Sequence, residues 1–262
     1  MNEVALGWDV GAWHCEAGES RDTLCALVRD REGLPRLAGT PWRGGLQTTL
    51  TGFEGKALVP AILALVGIEA GADSAVTIAI DTPLGWPKAF TDLLTHRRLP
   101  ATIHELQHKN TLLYRQTERI LIENGHRPLS VVQDMMSSQS TKGMFFIGKA
   151  GLTVEATGVW SSGGGPGGPR VAAIETYPAP CKARGGLDKF FAEIARHERV
   201  VEACSGGRHV EEDVQDSLYC ALVAFAFATD RGVLRGPEQC DPPVPAEEGW
   251  IWVPRQCYPN WA

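Results

Sequence analysis

Residues 74–87, SAVTIAIDTPLGWP, decide the fold. Val76, Thr77, Ile78, Ala79 and Ile80 form a short β-branched apolar run without strict polar alternation, the pattern of a strand covered on both faces. Pro83, Gly85 and Pro87 stop it. Asp81 therefore stands at the mouth of a buried strand, where open α/β sheets place their ligands and chemistry. The same position also suits an aspartate that caps the following turn.

Working outward toward the N-terminus, residues 4–10 (VALGWDV) read as a first strand closed by Gly11, with Asp9 near its end in the manner of Asp81. Residues 23–29 (TLCALVR) and 34–42 read as two more strands, joined by a charged turn ending in Gly33. Leu58, Ile62, Leu65, Val66 and Ile68 recur at helical spacing, predicting a helix over 54–71 before the Asp81 strand.

Beyond that strand the pattern turns helical, and residues 88–150 read as a helical insertion: AFTDLLTHRRL, a longer helix over 102–124 ended by Gly125, and one over 140–149. The insertion carries Arg97, Arg98, Lys109, Arg115, Arg119 and Arg127, with Glu105, Glu118 and Glu123 interleaved as on a solvated helix face. Residues 152–160 resemble a strand. Residues 161–169, SSGGGPGGP, read as a mobile loop or hairpin tip; without a following GK[ST] they are not a phosphate loop. Residues 170–177 (RVAAIETY) form another strand-like run that ends on an acid, Glu175. Helices are expected over 187–203 and over 210–230, the latter with Asp213 and Asp216 three apart on one face of its acidic first turn. A proline-rich link, DPPVPAEEG, leads to a last strand-like WIWVP.

A chain of 262 residues, 44% apolar, can bury a large core, and the reading taken is a single domain over 1–262. A net charge of −6 and a pI near 5.7 argue against broad adhesion to nucleic acid and leave only a local basic groove open. Seven scattered cysteines with no CxxC pair indicate reduced thiols, neither a disulfide framework nor a thiolate zinc site. No leader pattern and no uncharged run near about 18 residues is present, so a soluble, cytoplasmic protein without a membrane partner is expected.

Asp9, Asp81, Asp213 and Asp216, with Glu175 as a fifth acid, are what a hydrolytic site with two Mg²⁺ or Mn²⁺ ions requires. Hard cations take oxygen ligands, and two ions roughly 3.5–4 Å apart need acids converging from several elements. The order β-β-β-α-β-α-β-α, with acids on the first strand, the fourth strand and the last helix, is that of the ribonuclease H-like fold: a mixed five-stranded sheet, here with its helical insertion after the fourth strand. The Asp-x-x-Asp pair resembles the resolvase-type branch.

The segments IDTPLGWP, LLYRQTERI, RPLSVVQD, IETYPA, EEDVQDSLYCALVA and EGWIWVP, in this order, resemble the family called domain of unknown function 429, described as predicted ribonuclease H-like nucleases. The resemblance spans nearly the whole chain. It implies that the family's acids fall on Asp9, Asp81, Glu175, Asp213 and Asp216 and its arginine motif on Arg115 and Thr117. Two departures are Glu118, where relatives usually show Asp, and Asp216-Ser217, where they usually have Asp-Ala. The expectation is a nuclease in which Asp9, Asp81, Asp213 and Asp216 hold two metal ions and Glu175 ligates or orients a bound water. Arg115, Thr117 and Lys142 would contact a nucleic acid or nucleotide substrate. A homodimer or a partner protein stays open.

Three other readings compete. His104-Glu105-Leu106-Gln107-His108 is a literal HExxH, which on a helix would present the zinc ligands His104 and His108 and the base Glu105 of a metallopeptidase. Asp9-Val10-Gly11 matches the first phosphate loop of actin-like ATPases and sugar kinases, but those need two such cores and one is present. A non-enzymatic scaffold that keeps the fold and binds a partner is the third.

Overall fold

The computed structural model describes residues 3–14, 21–163, 168–184 and 208–258. Three strands open the chain, β1 (Glu3–Asp9), β2 (Asp22–Arg29) and β3 (Pro35–Gly44). Helices α1 (Gln47–Gly52) and α2 (Leu58–Leu65) lead to β4 (Ala75–Asp81). The insertion holds α3 (Lys88–His96), α4 (Gln116–Glu123) and α5 (Ser137–Lys149). Then come β5 (Thr153–Ala156), β6 (Val159–Ser162), β7 (Arg170–Thr176), α6 (Pro178–Arg184), α7 (Arg208–Thr229) and the two-residue β8 (Ile251–Trp252).

The strands form one open mixed sheet in the order β3-β2-β1-β4-β7-β6-β5, with β8 also pairing β7. β1, β4, β7 and β8 run parallel; β2, β3, β5 and β6 pair antiparallel to their neighbours. The α/β class and the β-β-β-α-β start thus stand, with more strands than the five expected. The run at 152–160 is two strands rather than one. Gly158 turns them at φ +73°, and a Cβ there would lie 2.4 Å from Trp250 Cβ, so only glycine lets the hairpin tip reach the C-terminal segment.

Strand periodicity divides the core into two layers. Val4, Leu6 and Trp8 of β1, with Ile78 and Ile80 of β4, face α2 and α5, where Trp8 meets Phe146 edge-on at 5.6 Å. Ala5 of β1 and Ala79 of β4 face α7, against Leu218, Ala221 and Leu222. Gly7 shares that second face. A Cβ on it would fall 1.9 Å from the Ser217 carbonyl oxygen and 2.2 Å from the Ala221 nitrogen, so the backbone of α7 rests directly on β1.

Several helices are shorter than the periodicity predicts. Over 102–124 only a 3₁₀ turn (Gln107–Lys109) and α4 form. His104 Nδ1 accepts the Leu106 N–H at 3.0 Å and Asn110 Oδ1 accepts the Leu112 N–H at 3.0 Å, side-chain turns that compete with a helical ladder. Over 54–71 a 3₁₀ turn precedes α2, which ends before Gly67 at φ +76°. The helix over 140–149 begins earlier, at Ser137. The helix expected over 187–203 and residues 164–167 of the glycine-rich stretch lie outside the described residues. Among the described residues no helix is long and apolar enough to cross a membrane.

Because α7 sits on the bare backbone of Gly7, Gly7→Ala forces strand and helix apart. It should lower stability by about 3 kcal/mol in urea unfolding, the upper end of overpacking costs. A loss under about 1 kcal/mol would show that the contact yields.

Candidate functional site

The register of β1 and β4 sets Asp9 directly beside Asp81. Neighbouring strands lie about 4.8 Å apart, so two carboxylates leave adjacent parallel strands on the same face of the sheet. That face is the one under α7. Thr23 of β2 stands opposite Asp9 in the antiparallel pair, completing a row of Thr23, Asp9 and Asp81.

The loop after Asp9 is pinned by a buried hub, Asp22. Its carboxylate accepts from Trp8 Nε1 at 3.0 Å, the Gly11 N–H at 3.1 Å, the Leu46 N–H at 2.9 Å and Lys142 Nζ at 2.5 Å. Lys142 also donates to the Gly11 and Ala12 carbonyls at 3.1 and 2.9 Å. Lys142 is fully buried with its charge met, so it supports the Asp9 loop and does not reach a substrate phosphate as expected. Asp22, the other half of this pair, sits just before a β-like run, and nothing in its sequence neighbourhood distinguishes it from a turn aspartate.

Glu175 takes a different side. β4 and β7 pair Ile80 with Glu175, so Glu175 shares the face of Ile80 and turns away from that of Asp81. There Arg115 grips both of its oxygens, Nη1 at 2.7 Å and Nη2 at 2.6 Å, and the Leu84 N–H donates at 2.8 Å. The same guanidinium donates through Nε to Glu118 at 2.8 Å and through Nη1 to the Glu248 carbonyl at 2.9 Å. Glu118 closes the motif by accepting the Arg115 N–H at 2.8 Å at the start of α4. Burial lifts the Glu118 pKa, and the guanidinium works against that lift. Arg115 is thus an internal clamp with its donors engaged, and not the phosphate fork the motif suggested. Thr117 is likewise buried, its hydroxyl accepting the Ile251 N–H at 3.1 Å.

Glu248 extends the clamp. Its carboxylate accepts the Lys88 N–H at 2.8 Å and the Gln116 N–H at 2.7 Å, at the starts of α3 and α4. An acid at helix N-termini meets both orphan N–H groups and the positive end of the dipole.

The two helix acids have partners of their own. Asp213 accepts from Arg43 Nε at 2.8 Å, and Asp216 is ion-paired with Lys182 of α6. Neither cation has a signal in its own stretch of sequence, because each reaches the acids from a distant element. The carboxylates of Asp9 and Asp81, by contrast, have no hydrogen-bond or ion-pair partner among the described residues.

Electrostatics follow from this arrangement. Burial first, then the carboxylates of Asp81, Asp216, Asp213 and Asp22, push the Asp9 pKa well above the ordinary range. Burial first, then Asp216 and Glu175, do the same to Asp81, with Lys182 acting in opposition. Asp216 is raised by burial, and Lys182 pulls it back. The Tyr177 hydroxyl, raised by burial and by Asp81 and Asp216, donates to the Arg127 carbonyl at 2.9 Å. The strand ends open into a cavity of about 140 Å³ with Asp9, Asp81, Thr82 and Glu175 on its polar side and Pro128, Leu129, Met136 and Tyr177 on its apolar side.

The donor set suits a hard divalent cation held by few protein ligands. Among the described residues no three His, Cys, Asp or Glu side chains converge to chelate an ion. Mg²⁺ needs no such cage, since it keeps several waters and binds through one or two carboxylates. The buried hydroxyls of Thr23, beside Asp9, and Thr82, in the cavity wall after Asp81, have no hydrogen-bond partner among the described residues. Such orphaned groups cost about 1–3 kcal/mol each unless a ligand or its hydration shell meets them.

The HExxH segment is not a zinc site of the expected kind. His104 lies in a loop and His108 in a 3₁₀ turn, so the two imidazoles do not share a helical face.

No family model matches the chain, and neither a curated protein nor a solved structure does.

Two outcomes follow from the charge balance. Asp9 and Asp81 titrate higher in the fold than their unfolded value of about 3.9, so the stability linked to their protonation is full below about pH 4 and is lost as pH rises through the raised folded values. In chelator, Asp81→Asn should therefore raise the melting temperature by about 3 °C or more at pH 8 and by less at pH 5; equal curves would mean that the two acids do not repel. Arg115→Met should cost about 3–5 kcal/mol by stranding two buried carboxylates. An unchanged urea midpoint would remove the clamp from the account.

Proposed function

We propose that the chain is a metal-dependent hydrolase of phosphodiester bonds, a nuclease built on a ribonuclease H-like core. The observation that carries this reading is the pair Asp9 and Asp81, side by side at the carboxyl ends of adjacent parallel strands and without a partner among the described residues. The strand order β3-β2-β1-β4-β7, with only β2 antiparallel to its neighbours in that set, supports the core assignment. The six family-like segments support it further.

Asp9 and Asp81 are the residues that would hold Mg²⁺ or Mn²⁺. When bound, the ion supplies Lewis-acid polarisation and a water of lowered pKa. The chain's own groups do the rest. Asp22 and Lys142 fix the loop that follows Asp9, Arg115 anchors Glu175 and through Leu84 the turn after Asp81, and the half-apolar cavity limits water around the reacting group. Arg115 and Lys142 being committed to internal carboxylates, no lysine or arginine is among the described residues that line the cavity, and the charge opposing a substrate phosphate would come from the ion. That favours a single strand, a strand end or a small nucleotide over a long duplex.

A partner-binding scaffold is the second reading. It draws on the ion pairs Arg43–Asp213 and Lys182–Asp216, which neutralise acids that an active cluster would leave free.

A labelled panel of single-stranded, duplex, hybrid and junction substrates, with a dinucleotide, run in Mg²⁺ and in Mn²⁺ beside Asp81→Asn, separates them. The nuclease reading expects metal-dependent cleavage that falls by more than about 100-fold in the variant, beyond what loss of an outer partner costs. No cleavage of any substrate, together with melting curves that metal does not move, would leave the scaffold.

A further inference from the structure

The five acids at this end of the sheet differ in what balances them. Glu175 is met by Arg115 and the Leu84 N–H, Asp213 by Arg43, and Asp216 by Lys182. Only Asp9 and Asp81 are left without a partner among the described residues, and two adjacent carboxylates are neutralised by a single divalent ion. Two carboxylates with water-filled remaining positions are a sufficient site for one Mg²⁺, whereas a second ion needs further acids that are free to turn toward it. The buried hydroxyl of Thr23, with no hydrogen-bond partner among the described residues, stands opposite Asp9 in the β1–β2 pair, and that of Thr82, orphaned likewise, follows Asp81 in the cavity wall; both are donors and acceptors that the hydration shell of an ion at the pair would meet.

Lys182 is placed to act as the other cation. It comes from α6, which starts two residues after β7 ends, and its ammonium pairs with Asp216 while acting electrostatically on Asp81. A lysine ammonium brings one positive charge and three donors on a flexible stem, and it binds no water for activation. It therefore neutralises Asp216 without duplicating what a metal ion does.

We propose that this chain holds one divalent ion, between Asp9 and Asp81, and that Lys182 occupies through Asp216 the place of a second. The proposal rests on the metal-dependent reading above and replaces its expected pair of ions with one ion and one ammonium. The helix acids then shape the field at the site without ligating the bound ion.

Calorimetric titration with Mn²⁺ alone, on the full chain and without substrate, tests this by stoichiometry. The wild type should bind one ion per chain, Lys182→Ala should bind two, and Lys182→Arg should return to one. The double variant Lys182→Ala/Asp216→Asn should bind one again, because the acid released by removing the lysine is gone. The Lys182 side chain is about a third exposed, so its removal leaves no buried void, and melting curves check each variant's fold. Two ions in the wild type, or one ion still in Lys182→Ala, would overturn the proposal while leaving the metal site standing. No Mn²⁺ bound by the wild type, or binding unaffected by Asp81→Asn, would instead remove the metal-dependent reading and the proposal with it.

Discussion

The pairing of β1 with β4 is the constraint on which the rest depends. It carries two acids to the same level of the sheet and the same face, where neither has an ion-pair or hydrogen-bond partner among the described residues. Like charges this close raise each other's proton affinity and work against folding at neutral pH. The surrounding structure holds them in place. Gly7, two residues before Asp9, lets the α7 backbone settle on β1, which brings Asp213 and Asp216 over the same end of the sheet. The buried Asp22–Lys142 pair fixes the chain leaving β1, and the Glu175 carboxylate fixes the turn leaving β4.

The opposite face of the sheet has the same residue types in a different balance. Arg115 joins Glu118, Glu175 and the Glu248 carbonyl in a network whose charges are all buried and all met. Breaking such a network is costly because each carboxylate left behind stays out of water. The network ties α4, β7 and the turn before β8 into one unit, and Glu248 adds the start of α3. On one face of the sheet end the charges are thus paired, and the other keeps two carboxylates without a partner among the described residues beside a cavity. That contrast, more than the number of acids, marks the candidate site.

The strands and their terminal acids were legible because each lies within a short apolar run bounded by proline or glycine, a local signal. The partition of the acids was not. Glu175 looks equivalent to Asp81 in sequence, yet a pairing of Ile80 with Glu175 sends it to the other face, and register is a property of two strands together. Arg115 and Lys142 read as contacts to a substrate phosphate; their burial follows from partners about 60 and 120 residues away in sequence, Glu175 and Asp22. The HExxH spacing presumed a helix that local side-chain turns prevent. Arg43 and Lys182, which balance the helix acids, carry no local mark at all.

The central claim is that the free carboxylates of Asp9 and Asp81 form a divalent cation site. Anomalous scattering from crystals grown with Mn²⁺ tests it most directly. The account predicts a peak between these two carboxylates, with the Asp213–Arg43 and Asp216–Lys182 pairs intact. A peak centred on the α7 acids with those pairs broken, or no peak at the strand ends at saturating Mn²⁺, would contradict it.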